Sequence, residues 1–183
     1  MPSLYLIGVS QGMLDTYFLF VHSRAIADVH AGIGGGSEQW EYLLVAECEK
    51  ATKARLGQSN YNLSAETMAY FTRDINLRKR GSIGPGCTRQ PLDLPFKENG
   101  QADWITLTYA TIMQCFEEPF RGPFEAAERQ IKLLKEKGGN RVIVTGCSSL
   151  HDGVQKRIQG LCQSAGVERD PSFIESTNRE EAG

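Results

Sequence analysis

Apolar residues recur along the chain in two periods, and the switches between them mark most of the elements. Ser3–Val9 is apolar and β-rich, Ser10-Gln11-Gly12 is a turn sequence, and Thr16–Val21 is aromatic and β-branched, which predicts a hairpin. Ala25–Ala31 sets Ile26 and Val29 among Asp28 and His30 and predicts a third strand beside it. Gly32-Ile33-Gly34-Gly35-Gly36 then breaks the strand period. Ser37 suits a helix cap, with Glu38 and Glu41 at the positive end. Trp40, Leu43, Leu44, Cys48 and Ala51 follow at helical spacing up to a stop at Gly57. A second helix is predicted after Ser64, with Met68, Phe71 and Ile75 on one side and Arg73, Arg78, Lys79 and Arg80 outward as a solvated helix end.

Gly81–Gly100 carries Gly84-Pro85-Gly86, Pro91 and Pro95, which predicts a loop with at most short strands. A third helix starts at Thr108 and runs through Ile112, Cys115 and Phe116. Pro119 and Pro123 interrupt or restart it, and Phe124, Ala127, Ile131 and Leu134 carry its apolar face to Gly138-Gly139. Arg141–Thr145 reads as a strand and Gly146-Cys147-Ser148-Ser149 as a small-residue turn. The helix after it puts Val154, Ile158, Leu161 and Cys162 inward. Asp170–Gly183 is polar and charged and predicts a frayed tail. Three strands, then helices, then a strand–helix unit predict an α/β chain with a mixed sheet whose first three strands form an antiparallel meander.

Composition narrows the function classes. A chain of 183 residues is one domain's worth, and a net charge of −2 without a basic face argues against nucleic-acid binding. No apolar run approaches the roughly 20 residues of a membrane span. The N-terminus lacks the pattern of a signal peptide, so a cytoplasmic protein is expected. The five cysteines, Cys48, Cys87, Cys115, Cys147 and Cys162, are odd in number and include no C-x-x-C, so neither a disulfide framework nor a metal site is expected.

Candidate chemistry gathers where strands end. Gly146 lets backbone N–H groups approach a ligand at a strand C-terminus, where open α/β sheets hold them, but a tight β–α turn needs the same glycine without any ligand. Gly34-Gly35-Gly36 has the composition of a phosphate cradle, yet no Gly-Lys-Ser/Thr ending follows, so it is no Walker loop. Cys147 and His151 have the spacing of a nucleophile and a base near a helix start. No third orienting group accompanies them, and an inert cysteine is the better reading.

Taken in order, five stretches resemble successive motifs of the second half of the nucleotide-binding domain of the 70-kDa heat-shock chaperone family, a fold shared with actin and hexokinase. Gly8-Val9-Ser10-Gln11-Gly12-Met13-Leu14-Asp15 is similar to an Asp-x-Gly-Gly-Gly-Thr-x-Asp phosphate loop between two strands. Ala27–Gly32 followed by Gly35-Gly36 resembles the next strand and the Gly-Gly that opens a long helix. Phe116-Glu117-Glu118-Pro119-Phe120 resembles a Phe-Asp-Pro-Val helix start of divergent fungal members. Val142–Ser149 resembles the Val-Gly-Gly-Ser adenosine loop, and Val154-Gln155 its following helix. The resemblance covers roughly residues 3 to 165. It implies an actin-like ATPase half-domain, a ribonuclease H-like mixed sheet with a helical subdomain insertion at about 57–104, in one truncated lobe over 1–168 followed by a flexible tail over 169–183.

The departures from that pattern bear on function. The family's phosphate-loop Asp falls on Gly8 and its Thr on Met13, and neither supplies the oxygen a hard cation requires. Gln11 and Cys147 stand at glycine positions, and Leu150 stands where an arginine stacks on adenine. The helix bearing a Glu-x-x-Lys-Arg clamp aligns with Thr72-Arg73-Asp74-Ile75-Asn76. The resemblance therefore implies a vestigial nucleotide site at Gly12, Gly35, Gly36, Gly146 and Ser148, with no catalytic residue, no metal, and at most weak ATP binding. Phosphoryl transfer needs charge clamps and a metal positioned from both sides, which one degraded lobe does not provide. The expected function is that of a non-catalytic relative acting through a protein partner or self-association. The alternative is a weak ATP-binding, chaperone-like module completed by a partner lobe.

Overall fold

The computed structural model describes residues 4–9, 13–20, 25–34, 36–78, 83–85, 89–145 and 151–170. The chain divides into two compact units, one formed by Met1–Ser37 with Pro119–Gly183 and the other by Glu38–Glu118. The second is inserted into the first. It is wider at both ends than the expected 57–104 and contains strands as well as helices.

The first unit is built on a five-stranded mixed sheet. Strand β1 (Leu4–Val9) pairs antiparallel with β2 (Met13–Phe20) in the register Leu4↔Leu19 to Val9↔Leu14. Strand β2 pairs antiparallel with β3 (Ala25–Gly34), with register shifts between Leu14 and Thr16 and between Phe18 and Leu19. This is the meander that the apolar alternation predicts. On the other side of β1 lies β6 (Arg141–Thr145), parallel to it, and beyond β6 lies β7 (Glu168–Asp170), also parallel, giving the order β3-β2-β1-β6-β7. Parallel pairing requires a crossover, and helix α4 (Asp152–Ala165) supplies the one between β6 and β7. Val142 and Val144 are buried in β6, while Val154, Ile158 and Cys162 are buried at four-residue spacing along α4. Leu161, expected inward, is only half-buried. The strand β7 corrects the expectation of a tail from 169, because pairing with β6 orders Arg169 and Asp170; residues 171–183 lie outside the described ones.

The inserted unit holds most of helix α1 (Ser37–Leu56), helix α2 (Ala65–Arg78), and a two-stranded sheet of β4 (Leu92–Glu98) and β5 (Gln101–Leu107). Trp40, Leu44 and Cys48 of α1 and Phe71 and Ile75 of α2 are fully buried, and the Trp40 and Phe116 rings meet edge to face at 5.3 Å. Leu43 and Ala51, expected on the same buried face as Trp40, are half-buried.

The hairpin corrects the loop expected over 81–100. Leu92, Leu94, Phe96 and Glu98 face inward, alternating with Asp93, Pro95 and Lys97. The two tip residues, Asn99 (φ 51°) and Gly100 (φ 79°), have the positive φ of the two-residue turn that matches strand twist. Pro95 is tolerated because, counting back from the closing pair Glu98↔Gln101, it faces Trp104 at a position whose backbone N–H points away from β5.

Helix α3 (Tyr109–Glu136) begins at Thr108, whose Oγ1 accepts the Thr111 N–H at 3.1 Å. It stays continuous through Pro119 and Pro123, where the sequence predicts a break. The division between the units falls at Pro119. Beyond it Phe120, Phe124, Ala127, Ile131 and Leu134 recur at three- and four-residue steps as a buried stripe, with the two phenylalanine rings stacked at 5.6 Å. That packing outweighs the local disadvantage of proline. Among the described residues no helix is long and apolar enough to cross a membrane.

Helix α3 closes with the Gly139 N–H donating to the Leu134 carbonyl (2.9 Å) and that of Gly138 (φ 79°) to Lys135 (3.0 Å), a paired Schellman ending. A Cβ on Gly139 meets Leu134 Cγ at 2.7 Å and its Cδ1 closer still. Because Leu134 is buried, Gly139→Ala is expected to lose about 1–3 kcal/mol of stability in urea unfolding. An unchanged midpoint would mean that the α3–β6 turn relaxes without strain.

Candidate functional site

Sheet register alone decides where the candidate nucleotide residues are delivered. Gly8 pairs with Thr145, so β1 and β6 end side by side. Met13 pairs with Gly34, so the start of β2 and the end of β3 lie at the same edge. The chain therefore leaves or enters the sheet along one edge at three places, 10–12, 35–36 and 146–150. These are the stretches that hold Gly12, Gly35, Gly36, Gly146 and Ser148. Gly36 is buried with φ 103°, a backbone shape that only glycine adopts without strain. Gly12, Gly35, Gly146 and Ser148 lie outside the described residues, as do Gln11, Cys147 and Leu150.

Three of the departures fall on described backbone: Gly8, Met13 and the 72–76 stretch, which lies within α2. Gly8 lies within β1 opposite Asp15 on one side and Thr145 on the other, and Met13 opens β2. Neither Gly8 nor Met13 brings a side-chain oxygen to this edge. Among the described residues no three His, Cys, Asp or Glu side chains are grouped to hold a metal ion.

His151 caps α4. Its Nδ1 accepts the Gly153 N–H at 3.1 Å, and the residue is 6 % exposed. The described thiols are unreactive. Burial pushes Cys48 up to about 12, Cys115 to about 11 and Cys162 to about 11, so at neutral pH all three are neutral thiols.

The inserted unit carries a polar cluster that sequence reasoning missed. Ser64 caps α2, its Oγ accepting the Thr67 N–H at 3.2 Å. A capping box would place Glu or Gln at position 67 to bind the Ser64 N–H, and this chain has Thr there. Glu98, at the end of β4, takes that role from a distance. Its Oε1 accepts the Ser64 N–H at 2.9 Å and the Ser64 hydroxyl at 2.7 Å, and its Oε2 accepts the Tyr61 hydroxyl at 2.9 Å. Thr67 donates to the Lys97 carbonyl at 3.1 Å. These groups line an open recess of about 620 Å³ together with Tyr70 and Asn99.

Glu98 is 3 % exposed. Burial pushes its carboxyl up, but the hydrogen bonds it accepts, those from Ser64 and Tyr61 among them, outweigh that and hold it at about 2. A carboxylate that is ionised and satisfied at neutral pH acts as an anchor between hairpin and helix, not as a proton donor. The only local hint in the sequence is a serine cap without its usual acidic partner.

The folded pKa of Glu98 lies below its ordinary value of 4.5, so its stabilisation is complete above about 4.5 and is lost as pH falls toward about 2. Glu98→Gln is expected to be about 1–3 kcal/mol less stable than the parent at pH 7, with the difference closing as pH approaches 2. A difference independent of pH in paired urea titrations would remove the charged clasp. Searched against models of known protein families and against curated proteins, the chain matches none.

Proposed function

We propose that the chain is a lobe of the actin-like ATPase fold, of the kind found in the 70-kDa heat-shock chaperones, and that it works without catalysis, through contacts with other proteins or with itself. The observation that carries this reading is the sheet order β3-β2-β1-β6-β7, an antiparallel meander continued by two parallel strands, with a separate unit inserted between β3 and β6. That order is compatible with the ribonuclease H-like arrangement with an inserted subdomain which the sequence resemblance implies. Its glycine-bearing segments leave one edge of the sheet, as a nucleotide site in this fold requires.

The non-catalytic part rests on chemistry. At that edge Gly8 and Met13 replace an aspartate and a threonine, which removes the hard oxygen donors that hold magnesium. Large apolar side chains left exposed on the inserted unit, Tyr42, Leu77 and Trp104, support action through protein contacts. The second reading, a weak ATP-binding module completed by a partner lobe, draws on the shared sheet edge and the glycines kept there, which preserve close backbone approach.

Magnesium-ATP separates the two readings. No change in melting temperature is expected on addition of millimolar magnesium-ATP or ADP, either to the parent chain or to Gly146→Val. A ligand at about 100 times its dissociation constant would add roughly 2.7 kcal/mol, enough to be plain in a thermal melt. Stabilisation of that size, abolished by Gly146→Val, would overturn the non-catalytic reading in favour of the ATP-binding module.

A further inference from the structure

Asn99-Gly100 is the only Asn-Gly pair in the chain, and it forms the tip of the β4–β5 hairpin. Both residues are exposed. The closing pair is Glu98↔Gln101, so the Gly100 N–H is the central amide of the turn and stands outside the strand ladder. A Cβ built on Gly100 meets nothing within 4 Å, so the space around this amide is open. The asparagine also belongs to the Glu98 cluster, because its Oδ1 accepts from the Tyr61 hydroxyl at 3.3 Å while that hydroxyl also reaches Glu98.

We infer that Asn99 is a site of spontaneous deamidation, and that its conversion unfastens the Ser64–Glu98–Tyr61 clasp. Loss of the Gly100 amide proton to solvent base lets that nitrogen form a bond to Asn99 Cγ. The Cγ–Nδ2 bond breaks, ammonia leaves with a proton returned from solvent, and a five-membered succinimide remains. Water then adds to one of its two carbonyl carbons and opens the ring to aspartate or isoaspartate. The balance is amide plus water to carboxylate plus ammonium, with no oxidant or cofactor. Glycine favours ring closure because it places no Cβ beside the attacking nitrogen.

Either product sets a second carboxylate beside Glu98. The two compete for the Tyr61 hydroxyl, and like charges at this distance disfavour the ionised form of both. Isoaspartate also inserts a methylene into the backbone of a turn whose φ values fit only a two-residue link. The tie between β4 and the start of α2 thus weakens irreversibly with time.

The test is ageing of the full chain in mildly alkaline buffer, followed by peptide mapping and by acid unfolding. Conversion at Asn99 is expected to run several times faster than at Asn60, Asn62, Asn76, Asn140 or Asn178, none of which precedes glycine. The aged protein and Asn99→Asp are expected to unfold at higher pH than fresh protein. Asn99→Gly keeps a turn-compatible backbone without a side-chain amide, so its acid midpoint is expected to stay put on ageing. Conversion at Asn99 no faster than at the other asparagines overturns the proposal. So does an Asn99→Asp variant whose acid midpoint matches the parent.

Discussion

The parallel pairing of β6 with β1 is the constraint on which the rest of the structure depends. Five residues, two of them fully buried valines, join the N-terminal meander to the C-terminal α4–β7 segment. Two parallel strands cannot be linked by a turn, so the chain between β3 and β6 has to travel away and return. The entropy of closing such a connection grows only with the logarithm of its length, about 0.6 kcal/mol for each doubling. A long excursion is therefore cheap to accommodate, and a separately folded unit occupies it.

Once that pairing is made, the chemistry of one sheet edge follows from register and not from any single motif. Gly8 against Thr145 and Met13 against Gly34 bring three connections to one edge. Of the residues described there, Gly8, Met13 and Gly36 carry no side-chain oxygen for a hard cation. Just past the last of these connections, the His151 Nδ1 accepts the Gly153 N–H in the first turn of α4.

Element ends throughout are fixed by short-range backbone bonding. Helices α1, α3 and α4 each finish on a glycine of positive φ, with paired bonds from the two residues past the end: Gly57 with Gln58, Gly138 with Gly139, and Gly166 with Val167. The start of α2 is the exception, because its capping carboxylate arrives from β4. A two-stranded sheet has little stability of its own. The Glu98 clasp and the inward row Leu92, Leu94 and Phe96 attach it to the rest of its unit.

The sequence by itself determined the meander, the helical faces around Trp40, Phe71 and Ile158, and the stops at Gly57 and Gly138. Each of these depends on periodicity or on a single residue's backbone freedom, which is local information. It did not determine β4 and β5, because proline reads as a breaker until the partner strand shows that its missing N–H faces away from the ladder. Nor did it show the continuity of α3 through Pro119 and Pro123, where burial of the flanking phenylalanines prevails over propensity. Strand β7 and the role of Glu98 were equally out of reach, since both depend on residues far off in sequence meeting through pairing. Tertiary structure decided those, because a hydrogen bond between positions 64 and 98 leaves no periodic trace in either neighbourhood.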